Sequence, residues 1–430
     1  MLNPANSGPN ENILSRFEKT RGLSIELANH LSAEDQALQS MPDASPVKWH
    51  LAHTTWFFET FILKPYSAQY TTINPHYEVM FNSYYQAVGP QFKRANRSIL
   101  SRPSATEVID YRTAVDQKLT EFIDIELPDL NAGVQQEIYN LLVLGINHEQ
   151  QHQELLLTDI KHALSFNPML PAFKKDTVTQ LTPQQISSLS WTKFSSGIYD
   201  IGHADQTHFC FDNELPQHKQ YLAEFQIANR LITNKEYTDF ILDGGYQNPQ
   251  HWLSEGWAWV EENALSHPLY WRKTDQGWSE FSLNGLISLD PASPVHHVSY
   301  YEADAYSKWV GKRLPTESEW EVASQGLETK GNLLNPNKLK PEPVDTSNDE
   351  LQQMFGDTWE WTSSPYTAYP GFTIAEGAVG EYNGKFMVNQ MVLRGGSCAT
   401  PQGHIRPSYR NFFPAHTQWQ FSGIRLASYI

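Results

Sequence analysis

Asn147-His148-Glu149-Gln150-Gln151-His152-Gln153-Glu154 closes a long segment of helical apolar periodicity, and its reading decides how the chain is organised. On a helix, His148 and His152 stand one turn apart on one face, near enough for both imidazoles to reach a single ion. That face is not a solvated one. Ile138, Leu141, Gly145, His148, His152, Leu155 and Asp159 recur at three- and four-residue steps, so the histidines continue a stripe that is otherwise buried. A ring nitrogen buried without a partner costs on the order of 1–3 kcal/mol, so each needs an ion or a hydrogen bond. Spacing alone leaves a metal site and a pair of core histidines bonded to carboxylates or carbonyls on equal footing.

Three further helices follow from the same periodicity. Ser45-Pro46 reads as an N-cap with proline at the first helical position, opening a helix whose seam runs through Trp49, His53, Trp56, Thr60 and Leu63. His53 therefore points inward, while His50, one turn earlier, falls off the stripe and reads as a rim residue. Ile13, Leu14, Phe17, Leu23, Leu27 and Leu31 mark a first helix over 12–32, and Ser104 with Glu107 forms a capping box ahead of Val108, Tyr111, Val115, Leu119 and Phe122. With the segment 134–162 these make a four-helix bundle with one long connection, 64–103, and its core would bring His53 opposite His148 and His152. Three neutral imidazoles leave coordination positions open, as in a catalytic rather than a structural site, and suit zinc, iron, copper or nickel alike. Glu154 falls on another part of the helix and reads as a supporting or surface group.

The long connection carries Phe81-Asn82-Ser83-Tyr84-Tyr85-Gln86, then Arg94 and Arg97. Tyr84 and Tyr85 could donate a proton at a metal site; the residues by themselves favour a packing pair. The arginines could hold a substrate carboxylate or simply be solvated.

The chain has 430 residues, 40% of them hydrophobic, which suffices for two domains with separate cores. A formal net charge of -17 argues against nucleic acid or an anionic membrane as partner, because either would repel such a surface, and points to small-molecule substrates. Only Cys210 and Cys398 are present, so no disulfide framework is built and a cytoplasmic location is expected. The polar stretch 1–12 has neither the cationic nor the apolar region of a leader, and the longest apolar run near the site, 141–146, is far below membrane-spanning length. The expected organisation is a helical bundle over 1–165, a linker rich in Pro, Lys, Thr, Gln and Ser over 166–190, and a loop-rich α+β domain over 191–430 with short helices at 234–242 and 301–310.

Ordered motifs in the second region carry a resemblance. They are Phe211-Asp212-Asn213-Glu214 with Pro216 and His218, Thr233-Asn234-Lys235-Glu236-Tyr237, Pro294-Val295-His296-His297-Val298-Ser299, Lys312-Arg313-Leu314-Pro315-Thr316-Glu317-Ser318-Glu319-Trp320-Glu321, Gly356-Asp357-Thr358-Trp359-Glu360-Trp361-Thr362, Arg394-Gly395-Gly396-Ser397 and Gly423-Ile424-Arg425-Leu426. Together they resemble the formylglycine-generating-enzyme domain, a variant of the C-type-lectin-like fold. Those enzymes bind copper through two cysteines near the C-terminus; here Cys398 is followed by Gly403 where the partner would stand, so this domain is expected to bind substrate instead.

Joined to a DinB-like bundle carrying Trp49-His50-Leu51-Ala52-His53 and His148-Glu149-Gln150-Gln151-His152-Gln153-Glu154, such a domain resembles the ergothioneine-biosynthetic sulfoxide synthases. The resemblance implies non-haem iron(II) held by His53, His148 and His152. It implies an oxygen-dependent reaction that joins a thiol sulfur to C2 of the imidazole of Nα-trimethylhistidine (hercynine) and leaves a sulfoxide. It reverses the reading of Tyr84 and Tyr85, which match the proton-donating pair of one subgroup. Gln151 matches a residue that hydrogen-bonds the substrate imidazole, and Asn411, Phe412 and Phe413 match a segment that reaches the trimethylhistidine. Members that use γ-glutamylcysteine have a Trp-Asp pair and an arginine in that segment; their absence here predicts free cysteine, with Arg94 or Arg97 on its carboxylate. The rival readings are an ovothiol-type or selenium-transferring relative, and a non-catalytic binding module stabilised by a metal.

Overall fold

The computed structural model describes residues 12–175, 186–205, 207–275, 277–345, 350–374, 380 and 383–430. The polar N-terminal stretch, except Asn12, and residues 176–185 of the expected linker lie outside them. Two compact units result: one comprises Met1–Pro168, Asp205–Cys210 and Ile374–Tyr382, the other Met169–Ala204, Phe211–Thr373 and Asn383–Ile430. Among the described residues no helix is long and apolar enough to cross a membrane.

The first unit is helical. Helix α1 (Ile13–Ala28) starts where the Asn12 side chain accepts the Leu14 amide, and ends four residues short of the expected boundary. Helix α2 (Val47–Phe58) begins one residue later than the sequence suggests: Pro46 is its N-cap, with extended backbone, and the Ser45 amide is spent on Asp159 instead. All twelve residues of α2 are buried, as expected of a helix surrounded by others. It runs on through a π-helical turn, Glu59–Leu63, in which buried Glu59 accepts hydrogen bonds from the hydroxyls of Tyr70 (2.6 Å) and Tyr111 and from the Ile73 amide (3.2 Å). The long connection is less irregular than its sequence reads, containing α3 (Tyr77–Phe81) and a 3₁₀ segment, Arg94–Ile99. Helix α4 (Ala105–Glu121) carries the Ser104–Glu107 capping box, and α5 (Ala132–Ser165) carries the two-histidine stretch. Helices α2 and α5 approach closely because residue 145 is glycine; a Cβ there would collide with the Phe58 ring.

A second buried polar stripe of α5 faces α1 and α4. Glu149 accepts from Ser24 (2.6 Å) and pairs with Arg21 (2.8 Å) and Arg112, while the Gln153 amide donates to the Thr20 carbonyl at 2.7 Å. Burial by itself would raise the Glu149 pKa, but Arg112 and then Arg21 pull it down to about 2.

The second unit is built from short strands and loops. Strands β1 (Trp191–Phe194), β4 (Phe225–Ala228) and β12 (Ala427–Tyr429) form one antiparallel sheet, and β2 (Gly197–Ile201) pairs with β3 (His218–Leu222). Strands β5 (Trp271–Thr274), β6 (Gly277–Ser282) and β7 (Gly285–Ser288) form a meander. The fourth sheet has the order β10 (Asn411–Phe413), β9 (Met391–Arg394), β8 (Trp359–Pro365), β11 (Ser422–Gly423), with β11 parallel to β8. Helix α6 (Asn234–Leu242) lies where expected and α8 (Tyr300–Trp309) starts one residue early; α7 (Ser254–Glu262) and α9 (Glu317–Ser324) were not anticipated.

The ordered motifs of this unit are its internal fasteners. Thr233–Glu236, Ser299–Glu302 and Thr316–Glu319 are capping boxes. Arg394 bridges Glu317 (2.9 Å) and Glu321 (3.0 Å), and Arg425 forks onto Glu360 at 2.7 and 2.9 Å, where Trp320 Nε1 also donates. Gly395 has φ +99°, and a Cβ there would lie 2.7 Å from the Met354 carbonyl oxygen. Cys398 is buried beside this turn.

Two outcomes follow. The Glu360–Arg425 pair is fully buried, so Glu360→Leu strands a guanidinium and costs about 3–5 kcal/mol in urea unfolding, whereas Glu360→Leu with Arg425→Leu costs less; additive losses would contradict this. Because Glu149 is depressed from its usual 4.5, its stabilisation is complete above that pH and is lost as pH falls toward about 2. Wild-type stability therefore falls over that window more steeply than that of Glu149→Gln; equal slopes would refute it.

Candidate metal centre

His53 projects from the middle of α2, and His148 and His152 from consecutive turns of α5. One ring nitrogen from each lies within 4.8 Å of the others, and His53 Nε2 is 3.2 Å from His148 Nε2. The 3.2 Å pair suits two donors on one ion, each about 2.0–2.1 Å from it, and the third imidazole stands beside them. His53 and His148 are buried and His152 is partly exposed.

The environment favours the neutral, ligating form of each ring. Burial drives the His148 pKa down to about 3. Burial, and after it the neighbouring imidazoles, hold His53 and His152 well below the usual imidazole range. His53 Nδ1 faces the Phe81 carbonyl at 2.6 Å; a carbonyl only accepts, so Nδ1 carries the proton and Nε2 keeps its lone pair. The ring is further fixed between Trp49 (centroids 4.6 Å, 12° between planes) and Trp56 (5.6 Å, 16°).

Two buried side chains near the cluster escaped the sequence reading. His50 is not a rim residue: its Nδ1 lies 2.8 Å from His152 Nδ1 and its Nε2 3.1 Å from Asp159 Oδ2. It precedes His53 by three residues, a helical step that keeps both on one broad face, and this is the signal that could have found it. Asp159 belongs to the predicted buried stripe, but its partner on α2 was not foreseen.

The tyrosine pair reaches the neighbourhood through the connection. Phe81, which accepts from His53, precedes Tyr84 by three residues. Asn82 then folds the chain back, accepting the Tyr85 amide (3.0 Å) and donating to the Tyr85 carbonyl (2.9 Å). Tyr85 is buried and Tyr84 half-buried, their rings stack at 4.7 Å, and the Tyr85 ring lies 5.7 Å from that of Trp56. Gln151 sits on α5 between the two histidines and is half-buried.

The two arginines differ. Arg94 is exposed and donates to the Asp43 carbonyl. Arg97 is 2% exposed, with its guanidinium 3.3 Å above the Trp49 ring and donating to the hydroxyls of Ser45 (2.8 Å) and Ser83 (3.3 Å). No carboxylate pairs with it among the described residues, and burial lowers its pKa to about 8. In the second unit Asn411, Phe412 and Phe413 form the half-buried strand β10. Phe412 stacks on Tyr366 (4.0 Å, 10°) with Phe386 6.0 Å away, Phe413 lies 6.1 Å from Trp419, and the Asn411 side chain accepts the Phe412 amide.

Comparison with known proteins agrees with both halves. Residues 16–156 match the DinB superfamily, and residues 192–348 and 328–430 match the sulfatase-modifying factor enzyme 1-like domain. The chain is 31% identical to a hercynine oxygenase of Mycolicibacterium smegmatis over 90% of this chain and 92% of the relative. It is 30% identical to a hercynine oxygenase of Mycobacterium tuberculosis over 97% and 98%. Ergothioneine biosynthesis protein 1 of Schizosaccharomyces pombe is 30% identical over 51% of this chain and 27% of that longer protein. The chain therefore belongs to the hercynine oxygenase family, pairing a DinB-superfamily helical unit with a sulfatase-modifying-factor unit.

Proposed function

We propose that the protein is a cytoplasmic iron(II)- and O2-dependent sulfoxide synthase of ergothioneine biosynthesis, joining the sulfur of cysteine to C2 of the imidazole of Nα-trimethylhistidine. The observation that carries this reading is the cluster of three neutral imidazoles, His53, His148 and His152, in a chain whose relatives are named hercynine oxygenases. Bound there, iron(II) supplies oxygen activation and open positions at which thiol and imidazole can be held together. The balance is that one oxygen atom of O2 ends on sulfur, and the other leaves as water with the thiol hydrogen and the C2 hydrogen.

The chain's own residues divide the remaining work. Tyr84 and Tyr85 act as proton donors, and Gln151 hydrogen-bonds the substrate imidazole. Arg97, rather than exposed Arg94, receives the cysteine carboxylate: a buried guanidinium lacking an acidic partner is completed by an anionic ligand.

Chelation of the metal abolishes oxygen uptake in the presence of both substrates, iron(II) restores it, and His53→Ala, His148→Ala and His152→Ala each lose bound iron. Uptake that is unaffected by chelation or by these substitutions would refute the reading. Replacing each tyrosine by phenylalanine in turn slows turnover about 10²–10⁴-fold in at least one variant; full activity in both would remove the donor role. Arg97→Met raises KM for cysteine about 10–100-fold and leaves KM for trimethylhistidine nearly unchanged; an unchanged KM for cysteine would remove Arg97 from the substrate.

A further inference from the structure

Behind His152 lies a chain of hydrogen bonds that the proposed reaction does not use. His152 Nδ1 meets His50 Nδ1 at 2.8 Å, His50 Nε2 meets Asp159 Oδ2 at 3.1 Å, and the same carboxylate oxygen accepts the Ser45 amide at 2.8 Å. His50 is 3% and Asp159 4% exposed. The polarity of this chain is set at its far end. A carboxylate only accepts, so the proton between Asp159 and His50 sits on His50 Nε2. In that tautomer His50 offers a lone pair at Nδ1, and the short contact between the two Nδ1 atoms takes its proton from His152. His152 is left with its lone pair on Nε2.

The same contact fixes which nitrogen of His152 can meet a metal. With another nitrogen 2.8 Å from its Nδ1, there is no room on that side for an ion about 2.0–2.1 Å away. His53 is given the same polarity by simpler means, its Nδ1 donating to the Phe81 carbonyl and its Nε2 facing His148. The helix that carries His53 thus carries, three residues earlier, the group that sets the tautomer of a ligand on the facing helix.

We propose that His50 and Asp159 form a positioning dyad that holds His152 in its Nδ1–H tautomer and so commits Nε2 to the metal. Neither residue touches substrate in this account; both act through His152. The inference rests on the reading of His53, His148 and His152 as metal ligands. Without the dyad, His152 divides between two tautomers, one of which presents an N–H to the ion. Support of this kind is worth about 10–100-fold in metal affinity.

The test compares cobalt(II) and iron(II) binding by full-length wild type, Asp159→Leu, His50→Phe and His50→Gln, with the His152 tautomer read by ¹⁵N NMR on the metal-free proteins. Asp159→Leu removes the acceptor that holds the proton on His50 Nε2. His152 should then divide between its two tautomers and affinity should fall about 10–100-fold. His50→Phe removes both bonds and should weaken binding by a similar factor. His50→Gln, with a carbonyl for His152 and an amide for Asp159, should keep affinity near wild type. A merely structural role would lower the unfolding midpoint of the variants without changing the tautomer. Wild-type affinity in both Asp159→Leu and His50→Phe, or an Nε2–H His152 in metal-free wild type, overturns the dyad. Wild type that binds neither metal overturns the dyad and the metal reading together. Dyad-dependent metal binding with no thiol–trimethylhistidine adduct supports the dyad and sinks only the proposed reaction.

Discussion

Three imidazoles taken out of water and turned toward one another are the constraint on which the helical unit depends. Each would be protonated near its ordinary pKa if solvated, and three cations within a few ångströms would repel strongly. Burial removes that option, holding all three rings neutral and leaving them as donors. The helices answer this demand in their sequence. Helix α2 is buried on every side, so His53 is caged by its own neighbours Trp49 and Trp56, one turn on either side. Gly145 lets α5 come close enough for His148 to meet it.

Around this cluster the polar groups are layered by task. Phe81 and the His50–Asp159 pair take up the outward nitrogens of His53 and His152. Ser45 connects outward again, its amide on Asp159 and its hydroxyl on Arg97. Arg97 in turn covers Trp49, the ring that covers His53. A cation stacked on an indole that is itself stacked on the His53 ring places a candidate anion site and the three-histidine cluster within one packed assembly of a single unit. On the opposite flank of α5, Glu149 with Arg21 and Arg112 uses buried charge for a different end, tying α1, α4 and α5 together. The second unit applies the same device to loops, with Glu317 and Glu321 sharing buried Arg394 and Glu360 paired with buried Arg425.

What could be read from the sequence was what has a short period. The four-residue step between His148 and His152, the inward stripe through His53, and the Ser104–Glu107 box depend on neighbours along the chain, and they recur in the helices as expected. The combination of helical and loop-rich halves was legible from the change in periodicity and from ordered motifs, and both halves match their family models. His50 was misjudged because a helical stripe was drawn too narrow. Its partner Asp159 is more than a hundred residues away, and nothing local couples them. Pro46 fell outside α2 because the Ser45 hydroxyl, the expected capping group, accepts from Arg97 instead. Helix α9 lacked a clear apolar stripe because it is buried on every side, its Glu317 and Glu321 paired with Arg394 and Arg410.

The central claim is best tested by mass-spectrometric analysis of the products formed in air by the iron(II)-loaded protein from one mixture of trimethylhistidine, histidine, cysteine and γ-glutamylcysteine. The account predicts a trimethylhistidine–cysteine sulfoxide as the dominant product. A dominant adduct of histidine or of γ-glutamylcysteine, or no adduct from protein that retains its iron, would contradict it.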